Sequence, residues 1–212
     1  TSMKKIFIIA ILLFSANVFA QSVGKTINNG NKALGGEKAL KSITSWQSVG
    51  TIKRISDGAS GKYSAYASGG KFYGEMYDLN GFEIQIGYNG KSGWIRDSRN
   101  GLRTLTGDSS KQLQAEASYR NSKWLRAKDE KSKLTSAGTI NINGKTANCV
   151  LMTTAKAIQL KICFDAITNL LAREEIPQGD SVKSFEYSDY KSVSGILTPH
   201  KIVSKVGEDI YE

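Results

Sequence analysis

Two periodicities divide the chain. Up to residue 43 the apolar positions follow helical spacing. Val23, Ile27 and Leu34 form a thin stripe, Gly35-Gly36 stops it, and Ala39, Leu40 and Ile43 restart it. From Ser45 the spacing changes to period two. The runs Trp46–Ile55, Lys62–Ser68, Lys71–Asp78, Phe82–Tyr88 and Lys91–Arg96 are each followed by Gly-, Asn- or Ser-rich turns. Alternation is clearest where Phe82, Ile84 and Ile86 interleave with Glu83 and Gln85. Phe72 and Met76 share one parity, as do Trp46 and Ile52, and Leu134, Ile140 and Ile142 repeat the pattern. One apolar and one polar face are expected of a sheet with a single buried side. Asn-Gly follows apolar runs at residues 80–81, 89–90, 100–101 and 143–144. It is the strongest local hairpin signal, because both central residues of a type I′ turn need positive φ.

The strand signal stops between Gly107 and Lys133. Asp108-Ser109-Ser110 can cap a helix running toward Tyr119, and Ser122–Lys133 reads as a further helical turn or a loop. Strands resume near Leu134–Ile142, Lys145–Thr153, Gln159–Asp165, Asn169–Glu175, Val182–Tyr190 and Ile196–Val206, and Gly207 can turn into another at Glu208. The fold class is therefore mainly β: about 11–12 strands with few helices imply a strongly curved antiparallel meander sheet or a barrel. Residues 21–212 form one domain on this reading. A strand beginning just before Glu212 leads us to expect a C-terminal truncation.

Lys4 and Lys5, an apolar run from Ile6 to Phe14 and a Val18-Phe19-Ala20 ending compose a signal peptide, with cleavage expected after Ala20. The run is too short to span a bilayer, which takes about 20 apolar residues. The expected location is the periplasm. Export also redirects the charge. The chain carries a formal net charge of +10, and Lys123, Arg126, Lys128, Lys131 and Lys133 form its densest cluster. Inside a cell a basic stripe suggests nucleic acid; outside it, the readings are a solvated surface, or attraction to anionic lipid or an acidic envelope partner.

Oxidation is permitted outside the cytoplasm, and Cys149 and Cys163 are the only cysteines. A hairpin about Lys156 sets 149 opposite 163, 150 opposite 162 and 152 opposite 160. Val150, Met152, Leu160 and Ile162 then share one face and both cysteines the other, within disulfide reach. The register is an assumption, and unpaired thiols are the alternative.

Candidate chemistry is sparse. The single His, His200, has no acidic or nucleophilic neighbour at a motif spacing, so catalytic triads and multi-His metal sites have little to draw on. Ser22/Lys25, Ser68/Lys71 and Ser188/Lys191 match S-x-x-K without its partner motifs. Asp129/Glu130 lie among lysines. Glu174/Glu175 are strand neighbours and point to opposite faces. No phosphate-binding or dinucleotide motif occurs, and no cofactor is expected. The large apolar groups read equally as core or as the lining of an incompletely filled barrel.

Four stretches, Ala33–Ile43, Gly138–Cys149, Phe164–Glu175 and Ser188–His200, carry a resemblance. In order and spacing they look like the outer-membrane lipoprotein-sorting-protein-like group of the periplasmic Lol carrier superfamily, over residues 33–206. The resemblance implies a half-open barrel with helices at the mouth and an acyl-binding concave face, but transfers no active-site residue. The expected function is a non-enzymatic, monomeric periplasmic carrier of a lipid or lipoprotein acyl chain. Its expected lining is Trp46, Ile52, Phe72, Met76, Phe82, Ile84, Ile86 and Trp94, continued by Ile140, Val150, Met152, Leu160 and Ile162. The alternative is an envelope interaction protein with a filled core and a basic binding surface.

Overall fold

The computed structural model describes residues 22–212, so the signal-peptide expectation for residues 1–20 lies outside the described residues. Helix α1 (Val23–Leu34) starts where the Ser22 Oγ accepts a hydrogen bond from the Lys25 backbone N–H. It ends at Gly35, whose φ of 126° a residue with a Cβ would not readily adopt. Helix α2 (Glu37–Lys41) follows at once.

Six strands then form an antiparallel meander: β1 (Ser45–Lys53), β2 (Ser60–Ser68), β3 (Phe72–Leu79), β4 (Phe82–Asn89), β5 (Gly93–Asp97) and β6 (Gly101–Thr104). Helix α3 (Gly107–Ser122) and a run of turns lead to seven more: β7 (Lys133–Ile142), β8 (Lys145–Thr153), β9 (Gln159–Asp165), β10 (Leu171–Gln178), β11 (Ser181–Val193), β12 (Ile196–Val206) and β13 (Asp209–Tyr211). Both central residues of the Asn80-Gly81 and Asn143-Gly144 turns have positive φ, as the hairpin reading requires. The count exceeds the expected 11–12 because the four residues of β6 carry too little alternation to be seen in sequence.

The two sheets are stitched at one edge. Lys53 and Glu212 exchange backbone hydrogen bonds of 2.8 and 2.9 Å, and the Ile55 N–H donates to the Ile210 carbonyl. The far edges, β6 and β7, do not pair with each other. The result is a half-open antiparallel barrel, and the chain between its open edges is the segment containing α3.

Cys149 and Cys163 are directly opposite on β8 and β9, with Cα atoms 4.1 Å apart, and form a disulfide. The pairs 150–162 and 152–160 follow in the same register. Met152, Leu160, Ile162 and Phe164 join Ile176 and Phe185 in the main core, beneath Leu34 of α1 and Trp124. Trp124 donates its indole N–H to Asn31 of α1 at 2.8 Å and meets Phe164 edge-on, which seats α1 on this sheet.

Candidate functional site

The concave face is the candidate site. Strand pairing fixes which side chains reach it. Trp46 and Ile52 on β1 lie across from Ala67 and Gly61; Ala67 pairs with Tyr73, and Tyr73 with Tyr88. By this parity Phe82, Ile84 and Ile86 also point inward, half-buried. Val150, Met152, Leu160 and Ile162 point inward from the second sheet and are buried.

Four expected lining residues sit elsewhere. Phe72 and Met76 point to the convex side and are 50% and 47% exposed. In β3 it is Tyr73, Glu75 and Tyr77 that point inward. Trp94 also faces outward, because its cross-strand partner is Gly87, one residue out of phase with Ile86. Ile140 is turned outward by a bulge between Ser136 and Thr139, which shifts the β7 register by one side chain. It packs with Cys149 and Cys163 instead.

Helix α3 occupies the space between the two inner faces. Leu113 and Ala117 pack against Ala67, Tyr73 and Tyr88 of the first sheet. Tyr119 enters the core of the second. Positions two apart in a helix lie on opposite sides, so the burial of Leu113, Ala115, Ala117 and Tyr119 means that both sides are covered. That is why α3 shows no single apolar stripe.

Small residues and polar bonds hold it there. Glu174 on β10 is nearly inaccessible and accepts four hydrogen bonds: Tyr119 Oη at 2.6 Å, Arg120 Nη1 at 2.9 Å, Lys123 Nζ at 2.9 Å and Tyr187 Oη at 2.5 Å. The Arg120 guanidinium lies 4.5 Å from the centre of the Phe185 ring, and its backbone carbonyl accepts the Trp46 indole N–H at 2.8 Å. Lys183 on β11 reaches across to Glu75 on β3 at 3.4 Å, and Tyr73 donates to the same carboxylate.

Burial alone would raise the Glu174 carboxyl; the Lys123 and Arg120 charges reverse this and hold it at about 2. Burial lowers Lys123, against the pull of Glu174. Burial, and then Glu174, push the Tyr119 hydroxyl well up, so it donates across the neutral range.

Two clefts are small. One of about 140 Å³ lies beside α3, lined by Ala115, Ser118, Met152, Thr154 and Lys156 among others. A polar one of about 210 Å³ lies by Glu83, Arg96 and Asp97. Neither reaches the roughly 300 Å³ at which small-molecule sites begin. Where α3 packs between Ala67, Tyr73 and Tyr88 of the first sheet and the core of the second, the concave face is filled.

No sequence-family model matches the chain, and no curated protein matches it. Its likeness to solved structures is in the fold. A DUF1329-family protein from Desulfovibrio piger superposes with a TM-score of 0.54 at 14% identity, over 90% of each chain. A LolA-superfamily protein from Nitrosomonas europaea gives 0.54 at 11% identity, over 90% of this chain and 89% of that one. The chain has the LolA fold. An outer membrane lipoprotein-sorting protein domain from Vibrio parahaemolyticus gives 0.52 at 10% identity, over 89% of both chains. The four stretches that suggested this superfamily map onto the end of α1 with α2, and onto the β7–β8, β9–β10 and β11–β12 hairpins of the LolA-like fold.

Within that fold the other candidates find their places. His200 is exposed on β12, its Nδ1 3.1 Å from the Thr198 carbonyl. Glu174 points inward and Glu175 outward, where Lys161 and Arg173 meet it. Lys123 leaves the basic cluster for the interior, whereas Arg126 pairs with Glu130. Sequence reasoning missed the Arg120–Glu174–Lys123 cluster. Its one signal was a carboxylate sharing parity with Ile176 inside a strand.

Proposed function

We propose that this chain is an exported periplasmic carrier that takes an acyl chain of a lipid or lipoprotein into its concave face, with α3 as the element that gives way. The observation that carries the reading is the character of α3. It lies where an acyl chain would lie, yet apart from Leu113 and Tyr119 its buried side chains are Ala115, Ala117, Arg120 and Ser122. Beyond Leu113 and Tyr119 the helix itself contributes little apolar surface to the interior. The surface it uncovers includes Trp46, Ile86 and Tyr88 from one sheet and Met152 and Ile162 from the other. The LolA-like fold and the signal-peptide pattern support the same reading.

Titration with a fluorescent fatty acid tests it. Wild-type protein is expected to bind the probe. Glu174→Gln is expected to bind more tightly, since α3 is then held less firmly. Ile86→Asp is expected to weaken binding roughly tenfold or more, because an unpaired charge in an apolar site costs more than about 1.4 kcal/mol. No uptake by either wild type or Glu174→Gln would overturn the proposal.

A second reading has its own support. The interior is filled, with Tyr119 and Met152 fully buried, as in an envelope interaction protein that works through its outer surface. It predicts no probe uptake and a salt-sensitive protein partner.

A further inference from the structure

The convex side of the first sheet carries an exposed apolar face that acyl carriage does not use. Tyr66 on β2 lies over Gly74 on β3, where a Cβ would fall 2.4 Å from its ring. Trp94 on β5 lies over Gly87 on β4 in the same way. Gly74 and Gly87 are paired across β3 and β4. The two rings therefore cover neighbouring backbone, one from each side. Phe72 and Met76 stand on the same face, one residue either side of Tyr73 and Glu75 respectively. Tyr66 is 50% exposed, like Phe72. A contiguous set of Tyr, Trp, Phe and Met is thus presented where the sheet alternation calls for polar groups.

Charge around the patch is one-sided. The segments 68–72 and 89–94, which end the sheet beside Phe72 and Trp94, contain Lys71 and Lys91 and no carboxylate. Both lysines are exposed, and Lys71 lies along Gly90 of the neighbouring turn. The outward acids of this sheet, Asp78 and Glu83, are paired at its opposite end. Aromatic rings with amphipathic edges beside exposed ammonium groups complement the headgroup layer of an anionic bilayer. There Trp and Tyr settle at the interface, and each lysine gains from the negative surface potential.

We infer that this face docks the protein onto an anionic membrane surface, with Phe72 and Met76 entering the headgroup layer and Lys71 and Lys91 meeting lipid phosphates. The inference does not depend on acyl binding in the concave face, which lies on the other side of the sheet.

Co-sedimentation with vesicles of phosphatidylethanolamine and phosphatidylglycerol tests it, with phosphatidylcholine vesicles as the comparison. Wild-type protein should pellet with the anionic vesicles, less so in high salt, and stay in solution with the neutral ones. Lys71→Gln/Lys91→Gln, which keeps every apolar contact, should weaken binding about thirtyfold, the equivalent of about 1 kcal/mol per lysine. Phe72→Ser/Met76→Ser should abolish pelleting while leaving Tyr66 and Trp94 over their glycines. Both variants should keep the wild-type melting temperature and its affinity for a fluorescent fatty acid. That separates the two proposals: loss of vesicle binding with retained probe binding bears on this face alone. Wild-type protein that ignores anionic vesicles, or variants that pellet as it does, would overturn the inference. So would a dimer in solution that Phe72→Ser/Met76→Ser splits, since the face would then belong to a second copy of the chain.

Discussion

Gly30 lies within α1, where replacing glycine with alanine ordinarily adds about 1 kcal/mol of helix stability. Here a Cβ would stand 2.4 Å from the Phe164 ring, and that ring is buried against Trp124 at a centroid distance of 4.9 Å. Crowding outweighs propensity, so Gly30→Ala is expected to lower stability by about 1–3 kcal/mol, measured by urea unfolding. A stabilised variant would mean that α1 is not seated on Phe164. Glu174 makes the complementary electrostatic case. Replacing it with Gln leaves Arg120 and Lys123 facing a neutral amide, and losing one partner of a buried pair costs about 3–5 kcal/mol. The carboxyl is depressed in the folded state to about 2, from 4.5. Its contribution is therefore fully present above pH 4.5 and fades as pH falls toward 2, on the order of 3 kcal/mol. Unfolding measured at pH 7 and pH 3 should show a steep loss for the wild type and a shallower one for Glu174→Gln.

At the scale of elements, α3 and the β8–β9 hairpin are opposites. The hairpin is closed by the disulfide, buried on its inner face and continuous with its neighbours. α3 is tied by side-chain bonds to Glu174, to Gly179 through Gln112 and to the Phe72 carbonyl through Asn121. Native-state hydrogen exchange is expected to open α3 before β8 and β9, and Glu174→Gln should speed exchange in α3 while leaving the hairpin unchanged. Cys149→Ala/Cys163→Ala is expected to cost about 3 kcal/mol, from the loop its 14-residue separation closes, with the fold retained. The hairpin was legible in the sequence because one assumed register set two cysteines opposite each other and four alternating apolar residues on the other face, and the structure has that register. The face of β3 was not. Tyr73 and Glu75 look polar in sequence, yet strand pairing turns them inward, where Lys183, 108 residues away, meets the carboxylate. The place of α3 was hidden for the same reason: its stabilising partners come from distant strands, and no stripe along the helix records them.

For the whole molecule, one stitched edge and one open edge decide what the barrel can do. Pairing of β13 with the end of β1 joins the sheets into a continuous wall, and the unpaired β6 and β7 leave a seam along which α3 can move without breaking a ladder bond. The meander was read from period-two runs and Asn-Gly turns, and the mid-chain break from where that signal stops, since these are local features; the curvature was read from the number of strands. The filled interior was not, since whether Trp46 and Met152 line a space or a core depends on what stands between the sheets. In the proposed function an acyl chain takes the place of α3. Hydrogen exchange of the wild-type protein with and without saturating fatty acid tests this most directly. The claim predicts that α3 amides lose protection on binding while β8 and β9 keep theirs. Unchanged or increased protection of α3 in the presence of bound fatty acid would contradict it.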